Sequence, residues 1–392
     1  MSLGAITAIG LRDPPPTFPL TPMPSLANAL EQLAQSFEQE DYRRAAAQLK
    51  VLMQQAPKEP WVQFYLGRLH EVSNRLEKAE VTYRQLLRQT THPKIIAQTR
   101  QGLQRLADIE KQRRQAILDA AMEKPGSGDP GVLILEPIDP NDRADLAKKL
   151  SQIVQTDPYS ARQHMPHRGW RMYRTSTVGE LEVFSNELSQ ASIPNFHASL
   201  PAMEEIHIFQ VNYLQTMTPQ ATAICRNELD QLGTIVFDWS EVSQCVEGFL
   251  PIFEQVVDED PRHRLIRKVQ VQDYTHLYDL HLPERKCILR FRDGDYQFLE
   301  DKTNFPKLTP RARRQATTRI NWNQLLEKLK ASLEHAQVAD DFTPFAETVL
   351  DYPDLLNRIE ANINLLRRDE SLWDPAFQLY STLVFYKAFL KG

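Results

Sequence analysis

Apolar residues recur every three to four positions over the first third of the chain, at every second position over much of the middle, and densely again near the end. Leu26, Ala29, Leu30 and Leu33 follow Ser25 at helical spacing, and after Asp41 a second helix carries Ala45, Leu49 and Leu52. The stretch from Pro60 to Arg88, PWVQFYLGRLHEVSNRLEKAEVTYRQLLR, reads as two more antiparallel helices with a turn at Asn74-Arg75. Sliding the first pair by 34 residues sets Tyr42 on Leu76, Ala45 on Ala79, Leu49 on Tyr83 and Leu52 on Leu86. Small residues at 45 and 79 let paired helices approach closely, and bulky ones at 49 and 83 fill the space a turn later. A longer helix follows His92-Pro93 and runs through Ile95, Ile96, Leu103, Leu106, Ile109 and Ile117. Its Gly102 is one position out of phase with the repeat, so this helix is expected to cap a short stack.

The pattern then changes. Residues 1–24 form a Pro-rich tail, residues 25–122 the helical repeats with their cap, and residues 123–131, EKPGSGDPG, a linker. Val132–Leu135 reads as a strand, followed by a helix with Ala144, Leu146, Ala147, Leu150 and Ile153, a second with Leu181, Phe184 and Leu188, and a strand at Ile206–Val211. Residues 132–218 are therefore expected to form a small α/β sandwich. From Ala221 the period is two, with strands at ATAICRN, GTIVFDW, Leu265–Asp273, Thr275–Leu282, Cys287–Arg292 and Tyr296–Leu299, and a hairpin turn at Asp293-Gly294. Trp322, Leu325, Leu326 and Leu329 close this β segment, 219–335, with a helix. Residues 336–392 are helical again. The last helix, Pro375–Leu390, is only about 24 Å long against the ~30 Å of a bilayer core, and Lys387 interrupts it. Burial against another domain is expected, with peripheral membrane contact or a partner groove as the alternatives.

Composition narrows the class. A 392-residue chain with 42% hydrophobic and 25% charged residues can bury two or three cores. Thirteen glycines argue against Gly-rich phosphate loops, and a net charge of -5 gives no nucleic-acid footprint. Three cysteines without CxxC spacing favour a reducing compartment. With no signal-like N-terminus or spanning segment, a cytoplasmic protein is expected, peripheral to a membrane in the alternative case.

No catalytic set, metal site or cofactor site is expected. The densest polar constellation is Arg162, His164, His167, Arg168, Arg171 and Arg174 around Trp170 and Tyr173. Its arginines are candidate anion-binding residues, because guanidinium groups suit bidentate oxyanion contact. Its HxxH lacks a third ligand nearby. His276, His281, Asp279 and Cys287 could share neighbouring strands, but alternation sets His281 and Asp279 on one face and His276 on the other. Asp258-Glu259-Asp260 reads as a solvated loop. Arg311, Arg313, Arg314 and Arg319 form a basic run without interleaved aromatics to stack bases.

Leu66-Gly67, Ala79, Tyr83, the 34-residue period and Pro57 at a repeat end together resemble the tetratricopeptide repeat (TPR). That resemblance implies that the first helix of each unit lines a concave face. The matching positions are Leu30, Ala34 and Phe37, then Trp61, Phe64, Arg68 and Glu71, joined by Arg105 of the long helix. The paired Lys and Asn clamp of chaperone-binding TPR domains is not matched, so that specificity is not implied. Residues 221–335, with FDWSEV at 237–242, weakly resemble a pleckstrin-homology-like barrel. The order of parts, with SARQHMPHRGWRMYR and VFDWSEV, resembles that of cyanobacterial TPR-containing proteins. The expected fold class is thus multidomain α + β: a TPR-like array, an α/β sandwich, a barrel-like β domain closed by a helix, and C-terminal helices. The implied function is a non-enzymatic adaptor or assembly factor that holds a protein partner in the TPR groove. The alternative is a ligand- or phosphate-sensing protein or enzyme that uses Arg162–Arg174.

Overall fold

The structure, a computed structural model, describes residues 26–259, 263–301, 303, 317–363, 365 and 371–391. The Pro-rich tail, Ser25, Asp260, Arg311, Arg313 and Arg314 lie outside the described residues. The chain divides into two compact units, Met1–Ala116 and Ile117–Gly392.

Local chemistry sets the helices of the first unit: α1 (Leu26–Glu38), α2 (Tyr42–Gln55), α3 (Pro60–Val72), α4 (Leu76–Gln89) and the start of α5 (Pro93–Met122). The Asp41 carboxylate accepts the Arg44 N–H at 3.0 Å and caps α2. Pro60 at the first position of α3 fixes φ where no N–H is needed. Glu40 and Asn74 take left-handed φ values of 57° and 58° at the two inter-helix turns. α2 and α4 begin at Tyr42 and Leu76, so the 34-residue offset is structural. Leu33, Phe37, Ala45, Leu49, Leu52 and Val62 form one core; Phe64, Ala79, Tyr83, Leu86, Ile95 and Leu106 belong to the next.

Tyr83 explains both glycines. A Cβ at Gly67 would stand 2.4 Å from Tyr83 Cε1, and one at Gly102 would stand 2.6 Å from Cε2. The ring is thus held between α3 and α5, and Gly102, out of phase by residue count, meets its opposite edge. Either Gly→Ala change overpacks this site and is expected to lower unfolding free energy by about 1–3 kcal/mol. Urea unfolding of the intact chain measures it; unchanged stability would mean that the ring has room to shift.

In the second unit residues 123–129 form a turn tied down by hydrogen bonds. Buried Ser127 donates from Oγ to the Met122 carbonyl at 2.6 Å, and its own carbonyl accepts the Gly179 N–H at 2.9 Å. β1 (Pro130–Leu135) follows and is the middle strand of an antiparallel sheet, β2-β1-β3. Between its strands lie α6 (Arg143–Ile153), α7 (Pro158–His164), β2 (Arg171–Thr177), α8 (Val178–Gln190) and β3 (Asn195–Ser199), with the short α9 (Leu200–Glu204) after them. Val132 to Leu135 are all fully buried because both faces are covered. Leu133 and Leu135 meet Leu146, Leu150, Phe184 and Leu188, whereas Val132 and Ile134 enter a second core.

The larger sheet has the order β10-β7-β8-β9-β4-β5-β6. Its strands and helices are β4 (His207–Thr216), β5 (Ala221–Arg226), β6 (Leu232–Phe237), β7 (Gln244–Glu259), β8 (Leu265–Leu282), β9 (Cys287–Arg292), α10 (Thr318–Ser332), β10 (Gln337–Ala339), α11 (Phe342–Val349), α12 (Pro353–Leu356) and α13 (Trp373–Lys391). This corrects the barrel expectation. A barrel requires the outer strands to pair, but β10 and β6 stand at opposite ends of an open sheet, and β4–β9 and β10–β7 run parallel. β4, expected within the α/β sandwich, pairs instead with β5 and β9. Leu265–Leu282 is one strand rather than two. Tyr296–Leu299 is not a strand, so Asp293-Gly294 makes a turn without a hairpin; Tyr296 donates from its hydroxyl to Asp301 Oδ2 at 2.6 Å.

α10 covers one face of this sheet with Trp322, Leu325, Leu326 and Leu329. α13 serves both sheets: Phe377, Tyr380 and Leu383 pack with Val246, Leu250 and Leu277 and with Val132, Ile134 and Phe196, and Phe385 packs with Ile206, Ile208 and Ile288. A helix apolar on all sides is one enclosed on all sides. These side chains are already spent in the core, which is the burial expected for this helix. Lys387 bonds Glu136 at 2.6 Å and lies 5.0 Å from the Trp170 ring centre. Among the described residues, no helix is long and apolar enough to cross a membrane.

Candidate functional site

α3 places Trp61, Phe64, Tyr65, Arg68 and Glu71 along one stripe, because positions three, four and seven apart share a helix face. Two of the expected contact residues belong to the core instead. Phe37 and Phe64 are only 7% and 4% exposed, consumed by packing against neighbouring helices. Leu30 is half-buried against the first core.

The polar centre is Glu71, whose carboxylate accepts from Tyr83 Oη at 2.8 Å, Arg105 Nε at 2.6 Å and Arg105 Nη2 at 3.0 Å. Burial would push this carboxyl up, but the hydrogen bonds from Arg105 and Tyr83 outweigh it and hold it below the usual range. Burial, and then the Glu71 charge, drive the Tyr83 phenol upward, so it stays a donor. Arg68 stands over the Phe37 ring at 5.7 Å, with Nε 3.9 Å from Glu71. That buried Nε finds no acceptor. Half-buried Trp61 packs edge-on to Phe64, 5.8 Å between centres, and near Tyr65 and His92 at 6.2 and 6.3 Å. Lys94 Nζ lies 5.8 Å from the Trp61 ring. Tyr65 and Lys94 escaped the sequence reading; Tyr65 was legible, being one residue from Phe64 on the same helix.

The face thus offers an aromatic platform with Arg68, Lys94 and Arg105 around it, and its central carboxylate is already engaged. Chemically it suits an apolar side chain flanked by carboxylates.

The other candidates are placed differently. Arg162 and Arg168 are exposed, Arg171 donates from Nη1 to the Gln163 carbonyl at 3.2 Å, and Arg174 lies 5.3 Å from the Phe184 ring centre. A bulge at Tyr173 turns Tyr173 and Arg174 to the same side, where both frame Phe184. Cavities of about 360, 200 and 480 Å³ occur in this unit, and none is lined by these four arginines. Among the described residues, no cluster of three His, Cys, Asp or Glu could hold a metal.

His276 and His281 do face opposite sides of β8. His276 Nδ1 accepts from Trp322 Nε1 at 2.8 Å, so Nε2 carries the proton and donates to Glu247 at 2.9 Å. On the other side, fully buried Asp279 and Arg290 pair through Nη2–Oδ2 at 2.8 Å and Nε–Oδ1 at 3.0 Å. Ser381 of α13 donates to Asp279 at 2.7 Å and so accepts from His281 Nε2 at 3.1 Å. This enclosed network fastens α13 to the sheet. Its charge pairing between β8 and β9 escaped the sequence reading.

A family model described as Tetratricopeptide repeat matches residues 36–99. The chain is therefore a TPR-containing protein, with the repeat confined to a small part of its 392 residues. No curated protein and no solved structure matches it.

Proposed function

We propose that this protein is a non-enzymatic, cytoplasmic adaptor or assembly factor whose TPR unit holds a segment of a partner protein. TPR repeats generally mediate protein–protein interaction. The observation that carries the reading here is the Trp61 ring, half-buried on the same helical stripe as Arg68, with Lys94 Nζ 5.8 Å from that ring. An acidic segment bearing one large apolar residue fits this chemistry, the side chain against Trp61 and carboxylates on Arg68, Lys94 and Arg105. Three free, buried thiols accord with a reducing compartment.

Quantitative affinity capture of the full-length chain tests it. Arg68→Ala with Lys94→Ala is expected to lose a protein retained by the wild type at least tenfold, with the melting temperature unchanged. An identical set of captured proteins from both forms would rule the reading out.

A further inference from the structure

β7 and β8 outrun the sheet they belong to. β10 pairs only with Gln244–Val246 and β9 only with Leu277–Leu282, while β7 and β8 continue together to Glu259 and Leu265. The part of β8 from Leu265 to His276 is about 40 Å long at ~3.4 Å per residue. Among the described residues no third strand pairs with it. One face of this ribbon carries Phe249, Val257, Leu265, Val269, Val271 and Tyr274, each 41–79% exposed. The register puts them on that one face because the irregularity at Gln272 keeps Val271 and Tyr274 in phase. A two-stranded ribbon is marginal in water, and further strands at its edge stabilise it.

The two edges are not equivalent. β7 carries Pro251, which has no N–H to give an added strand, whereas β8 has no proline from Leu265 to His276. The β8 edge is also complementary to itself. Val269-Gln270-Val271 reads the same in both directions, with Arg267-Lys268 before it and Asp273 after it, all exposed. We propose that this edge pairs antiparallel with the same edge of a second copy, about a two-fold axis through Gln270. Val269 then faces Val271 of the second copy, twice. In a regular ladder Arg267 faces Asp273 of the other chain; if Gln272 is skipped there as it is against β7, Lys268 does. Either way a cation meets a carboxylate on both sides of the axis, and the two apolar faces join into one. The pairing is independent of the TPR reading.

Light scattering of the full-length protein is expected to give twice the 45.3 kDa chain mass. Arg267→Asp with Lys268→Asp, or Asp273→Lys alone, should weaken the dimer at least tenfold, and the three changes together should restore it. All three sites are exposed, so unchanged circular dichroism and melting will show that the fold persists. Gln270→Cys should give a covalent dimer on mild oxidation, since the native cysteines are buried. A monomer at every concentration overturns the proposal. So does a dimer that survives both charge variants or is not recovered by the combined one.

Discussion

Arg290→Met is expected to lower the unfolding free energy by about 3–5 kcal/mol, because it leaves the Asp279 carboxylate buried without its counter-charge. Arg290 makes three hydrogen bonds to Asp279 and two more, through Nη1, to Gln378 Oε1 at 2.9 Å and the Ala361 carbonyl at 3.1 Å. It also stands 5.1 Å from the Phe377 ring centre. With the guanidinium gone, Asp279 keeps the Ser381 hydroxyl as its one remaining donor in this network. Adding Asp279→Leu should recover most of the loss, since an apolar pair needs no counter-charge. A double-mutant cycle in urea reads this directly. Additive losses from the two changes would show that the pair is not coupled in the way its geometry requires.

The same network makes stability fall in mild acid. His281 is fully buried and its pKa is lowered to about 4, chiefly by burial, with Asp279 opposing and Arg290 reinforcing the shift. Its Nε2–H is committed to Ser381, and Nδ1 has no partner to receive a second proton's hydrogen bond. Above pH ~6.5 the imidazole is neutral in folded and unfolded chains, so its full contribution is present. As pH falls from about 6.5 to 4 the unfolded chain takes up a proton that the folded one refuses, and about 3 kcal/mol is lost. His70, His164 and His197 are shifted down by burial as well and add to the slope. The difference between wild type and His281→Leu therefore isolates the one residue. Glu247 acts in a lower window: the hydrogen bond from His276 helps hold it at about 2, so its contribution goes between about pH 4.5 and 2. Urea midpoints across pH 4–7 check this, and parallel profiles for wild type and His281→Leu would contradict it.

The repeat was legible because its signals are local. Helix period, the small residues Ala45 and Ala79, and the 34-residue offset lie within a few turns of one another. Gly102 was legible as an anomaly but not as a partner of Tyr83, since that contact lies between helices. The sheet was less so. Alternation reveals strands but not their neighbours, and the parallel pairing of β4 with β9 joins residues 80 positions apart, as with His207 and Cys287. β7 was missed because Gly248 and Pro251 interrupt its run and argue locally against a strand. At the site, aromatic spacing could not separate Phe37 and Phe64, which fill the core, from Trp61, which keeps an open edge. The burial of α13 was legible in its dense apolar composition, but not that two sheets share it.

The most direct test of the adaptor reading is site-specific photocrosslinking in cells from the full-length protein. A photoreactive residue replaces exposed His92, 6.3 Å from the Trp61 ring, or Val81, 64% exposed on α4 away from the α3 stripe. The account predicts one dominant crosslinked protein from position 92, absent from position 81 and lost when Arg68→Ala is added. No crosslink at 92, or the same products from both positions, would contradict it.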